Sequence, residues 1–197
     1  MSQALPFVCG PASLIEALNW RGSSISNDLG NQIRIWRTAN TVFMGKGLPG
    51  CDSTGLARAA EHHGVFMRVV RLHKDFSFAK TVASRTAKAV IRLIEDENLR
   101  YLRSAGRFLQ VDTVAEAARQ LSEVQSMLIL CNMRAYSHSN EYHWLCMRRN
   151  DRAVEIYDPF AGQYEIAIDQ RFFDDLRSTP LEDFLGRHWR HLIDFVC

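Results

Sequence analysis

The hydrophobic period of this chain changes near residue 125, and that change limits the folds available to it. Before this point, apolar residues recur mostly with the three- and four-residue spacing of helices. After it, short apolar runs at 126–131, 142–147 and 153–157 alternate with turn-forming residues. Short connections between successive strands require antiparallel pairing. Helices followed by an antiparallel sheet predict an α+β fold.

The predicted elements divide into two halves of a single domain that spans 1–197. In the helical half, about 1–125, helices are predicted at 9–19, 27–39, 54–62, about 79–103 and 114–121, with a strand at 65–71. In the sheet half, about 126–197, strands are predicted at 126–131, 142–147, 153–157, 163–168 and 192–196, with short helices at 172–177 and 181–189. A hydrophobic fraction of 47% suits one domain with a substantial core.

Composition excludes several classes of partner and predicts the compartment. The net charge of +2 gives no electrostatic reason to expect a nucleic acid or a membrane surface as partner. No apolar run approaches the roughly 18 residues that span a bilayer, and the first residues do not form a standard signal peptide. The five cysteines lack CxxC spacing or a disulfide framework. A reducing cytoplasm is therefore the predicted location.

The most reactive candidate residue is Cys9, which precedes a predicted helix. Gly10 allows the backbone to turn sharply after it, and Pro11 fits the first helical turn, where no amide donor is needed. Unpaired backbone amides and the helix dipole favour a thiolate at such a position. The alternative is structural, because a free cysteine commonly packs as a small buried hydrophobe.

A histidine and a carboxylate are predicted near one end of the sheet. His143 begins a predicted strand and Asp158 ends the next, with the turn between them near Asp151. The two side chains can therefore face each other across an antiparallel hairpin, which gives a base oriented by an acid. Each also has a structural alternative, as a core histidine and as a turn-starting aspartate.

Together with Cys9, this pair supplies the set needed for nucleophilic acyl chemistry. The histidine takes or shares the thiol proton, the acid orients the histidine, and the sulfur attacks a carbonyl. The Cys9 backbone amide and the side-chain amide of Gln3 could both donate to the resulting oxyanion.

Other candidate sites fit the sequence less well. Lys46 lies in a glycine-rich segment but does not occupy the position of a phosphate-loop lysine. His138 is a rival base without a carboxylate partner fixed by sequence. The remaining cysteines and histidines lack the short spacing typical of metal ligands. No cofactor and no metal are predicted.

These motifs resemble those of a known family. Gln3, five intervening residues and Cys9-Gly10-Pro11-Ala12, followed at a distance by His143 and by Asp158-Pro159, are similar to the papain-like double-glycine peptidases. That family cleaves leader peptides at the entrance of bacteriocin exporters. The resemblance covers roughly residues 3–170. The chain is more similar to the stand-alone bacterial relatives of this family than to its transporter domains.

The resemblance implies a fold and a role for each site residue. It implies a papain-like fold whose N-terminal helical half, with the nucleophile helix, packs on the C-terminal sheet, so that substrate binds between the halves. Cys9 would be the nucleophile, His143 the base, Asp158 the orienting acid and Gln3 the oxyanion-hole residue. The expected activity is that of a cysteine peptidase acting on a peptide or protein.

The chain also departs from the exporter peptidases. No transmembrane or ATPase segment follows, and a helical insertion near 79–122 separates the catalytic halves. Export coupling and double-glycine specificity are therefore not carried over. Two alternatives stay open: acyl or peptidyl transfer from the same Cys9 to an amine, and a non-catalytic peptide-binding module of the same fold.

Overall fold

The computed structural model describes residues 3–39, 50–72, 76–133, 141–149, 154–160 and 192–197. Within these ranges the helices are α1 (Cys9–Trp20), α2 (Leu29–Ala39), α3 (Ser53–Glu61), a 3-10 helix (Phe78–Thr81), α4 (Arg85–Ser104) and α5 (Val114–Leu121). The strands are β1 (Val69–Arg71), β2 (Phe108–Gln110), β3 (Ser126–Asn132), β4 (Tyr142–Arg149), β5 (Val154–Tyr157) and β6 (Leu192–Val196).

The described strands form one sheet in the order β2-β1-β6-β3-β4-β5. The α+β class is confirmed, with helices mainly before the longer strands. The described strands predicted after residue 125 pair antiparallel, whereas β1 and β2, which precede them in the chain, pair in parallel. Parallel neighbours need a long crossover, and α4 lies between these two strands in the chain. The predicted helical insertion is thus largely the connection of a β-α-β unit.

Local sequence signals explain where the helices begin. The Ser84 hydroxyl accepts the Ala87 N–H and caps α4, so the segment predicted as helix from about residue 79 is divided into a 3-10 turn and α4. The Thr113 hydroxyl accepts the Glu116 N–H at the predicted start of α5. The short strand β2 was not predicted, since three residues carry too little alternation to reveal a strand.

Both faces of the sheet are covered by apolar packing. On one side, Leu128 and Leu130 pack in a core with residues of α1 and α3. On the other, Met127 and Ile129 join a second core that includes Leu121 of α5. Alternate residues of β3 therefore enter opposite cores, which explains why this strand is continuously apolar from Met127 to Cys131.

Helices α2 and α3 cross closely at Gly55. A Cβ atom on this residue would lie 1.9 Å from the carbonyl oxygen of Ala39, so only glycine fits the crossing. Asp52 caps α3 by accepting the Gly55 N–H at 2.8 Å, and its Oδ1 also accepts the Thr54 hydroxyl. These contacts fix the chain immediately after Cys51.

Three predicted elements lie outside the described residues: the strand at 163–168 and the helices at 172–177 and 181–189. The predicted strand at 192–196 is β6. No helix in the described part of the chain combines the length and apolar character required to cross a bilayer.

Candidate active site

Cys9 is the first residue of α1 and is 6% exposed. The residue before it, Val8, provides no side-chain cap, so the first amides of the helix are not satisfied by a capping side chain. A Cβ on Gly10 would come within 3.1 Å of side-chain atoms of both Leu56 and Trp144. Glycine after the cysteine therefore lets the start of α1 approach α3 and the sheet closely.

Helix α1 lies against the first part of β4. The hydroxyl of Ser13 donates to the Trp144 carbonyl at 3.3 Å. The Trp144 indole N–H in turn donates to the Cys51 carbonyl at 2.9 Å. The described pairing between β4 and β5 begins only at Cys146, so the Trp144 carbonyl can accept the hydrogen bond from Ser13 of α1. The thiol and the start of β4 are thereby held together.

His143 and Asp158 contact each other at the same end of the sheet. His143 Nε2 lies 2.8 Å from Asp158 Oδ1. They are not directly opposite: Cys146 pairs with Tyr157, and continuing that register places Asp158 opposite Leu145. His143 is the diagonal neighbour on the same strand face, which side chains of this length can reach. Asp158 is 1% exposed.

The Cys9 thiol is hydrogen-bonded to the His143 side chain. Burial by itself raises the pKa of Cys9, but the hydrogen bond and the charge of His143 bring that pKa below its ordinary value. Burial lowers the pKa of His143, yet the hydrogen bonds to Asp158 and Cys9 raise that pKa to about 10. Both shifts favour a thiolate beside an imidazolium.

These pKa shifts predict how the reactivity of Cys9 depends on pH. A lowered pKa keeps the thiol ionised to lower pH, so alkylation by iodoacetamide should stay fast below pH ~8.5, the ordinary thiol pKa. The rate should fall only as pH drops through the lowered value. Mass spectrometry of the labelled chain against pH measures this. Burial raises the pKa of Cys51 and Cys131, so these thiols serve as internal controls and should stay unlabelled. A Cys9 rate that rises only above pH ~8.5 would contradict the ion pair.

Gln3 lies beside the acid end of the site. Its backbone N–H donates to the Pro159 carbonyl at 2.6 Å, directly after Asp158. The adjacent Ala4 N–H donates to the Gln32 side chain at 2.9 Å. The Oε1 atom of Gln3 is buried without a hydrogen-bond partner. The structure thus joins Cys9 to His143, His143 to Asp158, and the backbone of Gln3 to the turn after Asp158.

The other candidates do not form a second centre in the described residues. All five cysteines are free and buried. Across the described ranges, no three histidine, cysteine or acidic side chains are grouped so as to hold a metal ion. His138 lies outside the described residues. A cavity of about 420 Å³ is lined by Trp20, Arg21 and Arg148 among others, but none of the four predicted site residues lines it.

Two buried amide residues near the site, Asn27 and Gln32, were not predicted. Gln32 is fully buried, three and seven residues before the buried Ile35 and Ala39. It therefore occupies a position on the apolar face of α2. A glutamine on the apolar face of a helix is the sequence signal that could have identified this buried amide pair, because a buried amide needs specific hydrogen-bond partners.

Comparison with models of protein families gives a match that covers most of the chain. Neither the curated proteins nor the solved structures include a match to this chain. The family model described as "Peptidase_C39 like family" matches residues 1–176. That range covers most of the chain and contains Gln3, Cys9, His143 and Asp158. The chain belongs to the Peptidase_C39-like family.

Proposed function

We propose that this protein is a cysteine peptidase that hydrolyses a peptide or amide bond through a thioester on Cys9. The observation that carries the proposal is the continuous contact from Cys9 to His143 and from His143 to Asp158. A nucleophile, a base and a group that orients the base are the elements that covalent acyl chemistry requires. Membership of a peptidase-like family supports the same activity.

In the acylation step, the Cys9 thiolate attacks the carbonyl carbon and forms a C–S bond. The carbonyl oxygen becomes an oxyanion, which the Cys9 backbone N–H and the side-chain N–H of Gln3 would stabilise. The His143 imidazolium gives its proton to the leaving nitrogen as the C–N bond breaks. Asp158 holds the ring through Nε2, which leaves Nδ1 as the nitrogen that would exchange the proton. The products are a thioester and a free amine.

In the deacylation step, a water molecule attacks the thioester carbonyl while His143 takes its proton. The C–S bond breaks, the carboxylic acid leaves, and the thiolate beside the imidazolium is restored. An amine in place of water would give an amide by the same route. Peptidyl transfer would therefore use the same site as hydrolysis, and analysis of the products distinguishes the two reactions.

The geometry favours catalysis over a binding module of the same fold. A module that had lost catalysis would have no reason to keep a buried carboxylate 2.8 Å from the histidine that bonds the thiol. Burying an aspartate costs free energy unless hydrogen bonds or a charged partner compensate it, and His143 and the Phe160 N–H do so for Asp158 Oδ1. Peptides are the proposed substrates, and leader peptides that end in two glycines are the first set to test.

The test compares wild type with Cys9→Ala on a set of peptides that includes double-glycine leaders. Wild type should cleave at least one peptide and show an added acyl mass on the fragment that contains Cys9, whereas Cys9→Ala should do neither. Added amine should appear in the product only if transfer competes with hydrolysis. Cys146→Ala, which removes another buried thiol, is the matched control and should cleave. Equal cleavage by wild type and Cys9→Ala would refute the proposal.

A further inference from the structure

A pair of buried amides connects the segments that carry the site residues. The Nε2 of Gln32 donates to Asn27 Oδ1 at 2.8 Å. The Oε1 of Gln32 accepts the Ala4 N–H at 2.9 Å. The Nδ2 of Asn27 lies 3.3 Å from the Ala12 carbonyl and 3.4 Å from the Tyr157 hydroxyl, and it donates to both. The N-terminal segment, α1, α2 and β5 thus meet at two side chains.

The backbone groups and side chains that the amides hold lie next to the proposed catalytic residues. Ala4 follows Gln3 in the chain, and Tyr157 precedes Asp158. Ala12 lies about one helical turn after Cys9. The N–H of Gln3 also donates to the Pro159 carbonyl, so the segment around Gln3 is held from both sides.

Packing alone does not account for these two amides. Gln32 is 0% exposed and Asn27 is 8% exposed, at positions where an apolar side chain would avoid the cost of burying an amide. A hydrogen-bonded pair of amides instead fixes the relative orientation of the segments that it joins. Each donor or acceptor tolerates only a narrow range of partner positions. Asn27 and Gln32 therefore orient the N-terminal segment relative to α1 and β5.

We propose that Asn27 and Gln32 are positioning residues that hold the Gln3 side chain in place to stabilise the oxyanion. This inference rests on the proposed function of Cys9. Displacing an oxyanion donor by a fraction of an ångström should weaken acylation strongly, because removing such a donor altogether costs about 100- to 1,000-fold. The ionisation of Cys9 depends on His143 instead and should not change.

Two reactions of the same thiol separate these effects. Acylation by 4-nitrophenyl acetate passes through a tetrahedral oxyanion, whereas alkylation by iodoacetamide displaces iodide at a saturated carbon and forms none. Gln32→Met, which keeps the approximate volume and removes the hydrogen bonds to Ala4 and Asn27, should lower the acylation rate at least about 10-fold. Its alkylation rate and pH profile should match wild type.

The controls define what would overturn the inference. Asn31→Ala removes a half-buried amide of the same helix, which bonds Ser26, Asp28 and Arg34, and should change neither rate. Gln3→Ala should lower acylation, and adding Gln32→Met to it should cost little more, since both changes remove one interaction. Equal losses in acylation and alkylation, or no loss, would overturn the inference.

A second variant and a wild-type reference complete the design. Asn27→Ala breaks the pair from its other side and should give the same separation of rates, even if Gln32→Met does not fold. The proposed function is judged separately, from wild type against Cys9→Ala with the same ester. Acylation that persists in Cys9→Ala would refute that function and this inference together, whereas Cys9-dependent acylation unaffected by both amide variants would refute the inference alone.

Discussion

Replacing His143 with alanine is expected to lower the rate of Cys9 acylation by about 10⁴-fold, the upper range for loss of a general acid–base group. The variant loses the hydrogen bond and the charge that lower the pKa of Cys9, while the burial that raises that pKa remains. The thiol would then be protonated at neutral pH. It would also lose the proton donor to the leaving nitrogen. Single-turnover acylation by a peptide that wild type cleaves, where a nitrogen leaves and needs that proton, measures the loss.

The pH dependence distinguishes loss of the base from general damage. In His143→Ala, alkylation by iodoacetamide should need a higher pH than in wild type, because only the backbone hydrogen bonds of Trp144 and Gly10 would still oppose the burial that raises the pKa of Cys9. His62→Ala removes an exposed histidine at the end of α3 and is the matched control. If His143→Ala kept the wild-type alkylation profile, His143 would not be the group that ionises Cys9.

Replacing Asp194 with asparagine is expected to lower the free energy of unfolding by about 3–5 kcal/mol. Asp194 in β6 is fully buried and bonds Arg71 Nε at 3.1 Å and Arg71 Nη2 at 3.1 Å. Its Oδ2 also accepts the Ser53 hydroxyl of α3. Arg71 is 4% exposed, so the neutral amide would leave a buried guanidinium with much of its charge uncompensated. Denaturant unfolding measures the change.

Two further variants test the origin of this loss. Asp96→Asn makes the same change on an exposed part of α4 and should change the free energy of unfolding little. Arg71→Met combined with Asp194→Leu removes both charges and should recover much of the stability, because the penalty comes from the unpaired partner. Glu95, which accepts from Arg71 Nη1 at 3.3 Å in wild type, keeps its hydrogen bond from Ser77 at 2.7 Å, and burial already raises its pKa, so it can take up a proton once Arg71 is replaced. Equal effects of Asp194→Asn and Asp96→Asn would contradict the buried-pair explanation.

The parts of the fold that the sequence predicted depend on local signals. The start of α5 follows from Thr113 and Glu116, whose capping contact needs only neighbouring residues. The strand pattern after residue 125 follows from alternating apolar runs and turns. Pairing between β1 and β2 was missed because it depends on how α4 folds back over the sheet. The sequence of a three-residue strand is too short to indicate which strand it pairs with.

The candidate site was predictable in its chemistry more than in its geometry. The residue types and spacing of Cys9, His143 and Asp158 predict a nucleophile, a base and an acid that the structure brings into contact. The diagonal placement of His143 and Asp158 depends on strand register, which a short polar turn leaves open by two residues. Asn27 and Gln32 were missed because their partners are distant backbone and side-chain atoms.

The position of β6 has a consequence for the order in which the molecule can fold. This strand, latest in the chain among those described, lies between β1 and β3 and alone connects the β2-β1 pair to the β3-β4-β5 group. Its contact between Arg71 and Asp194 spans 123 positions, and contacts of such long range form slowly. During synthesis, β1 and β3 therefore expose unpaired edges until residues 192–196 emerge. A chain truncated before residue 192 is expected to aggregate instead of folding.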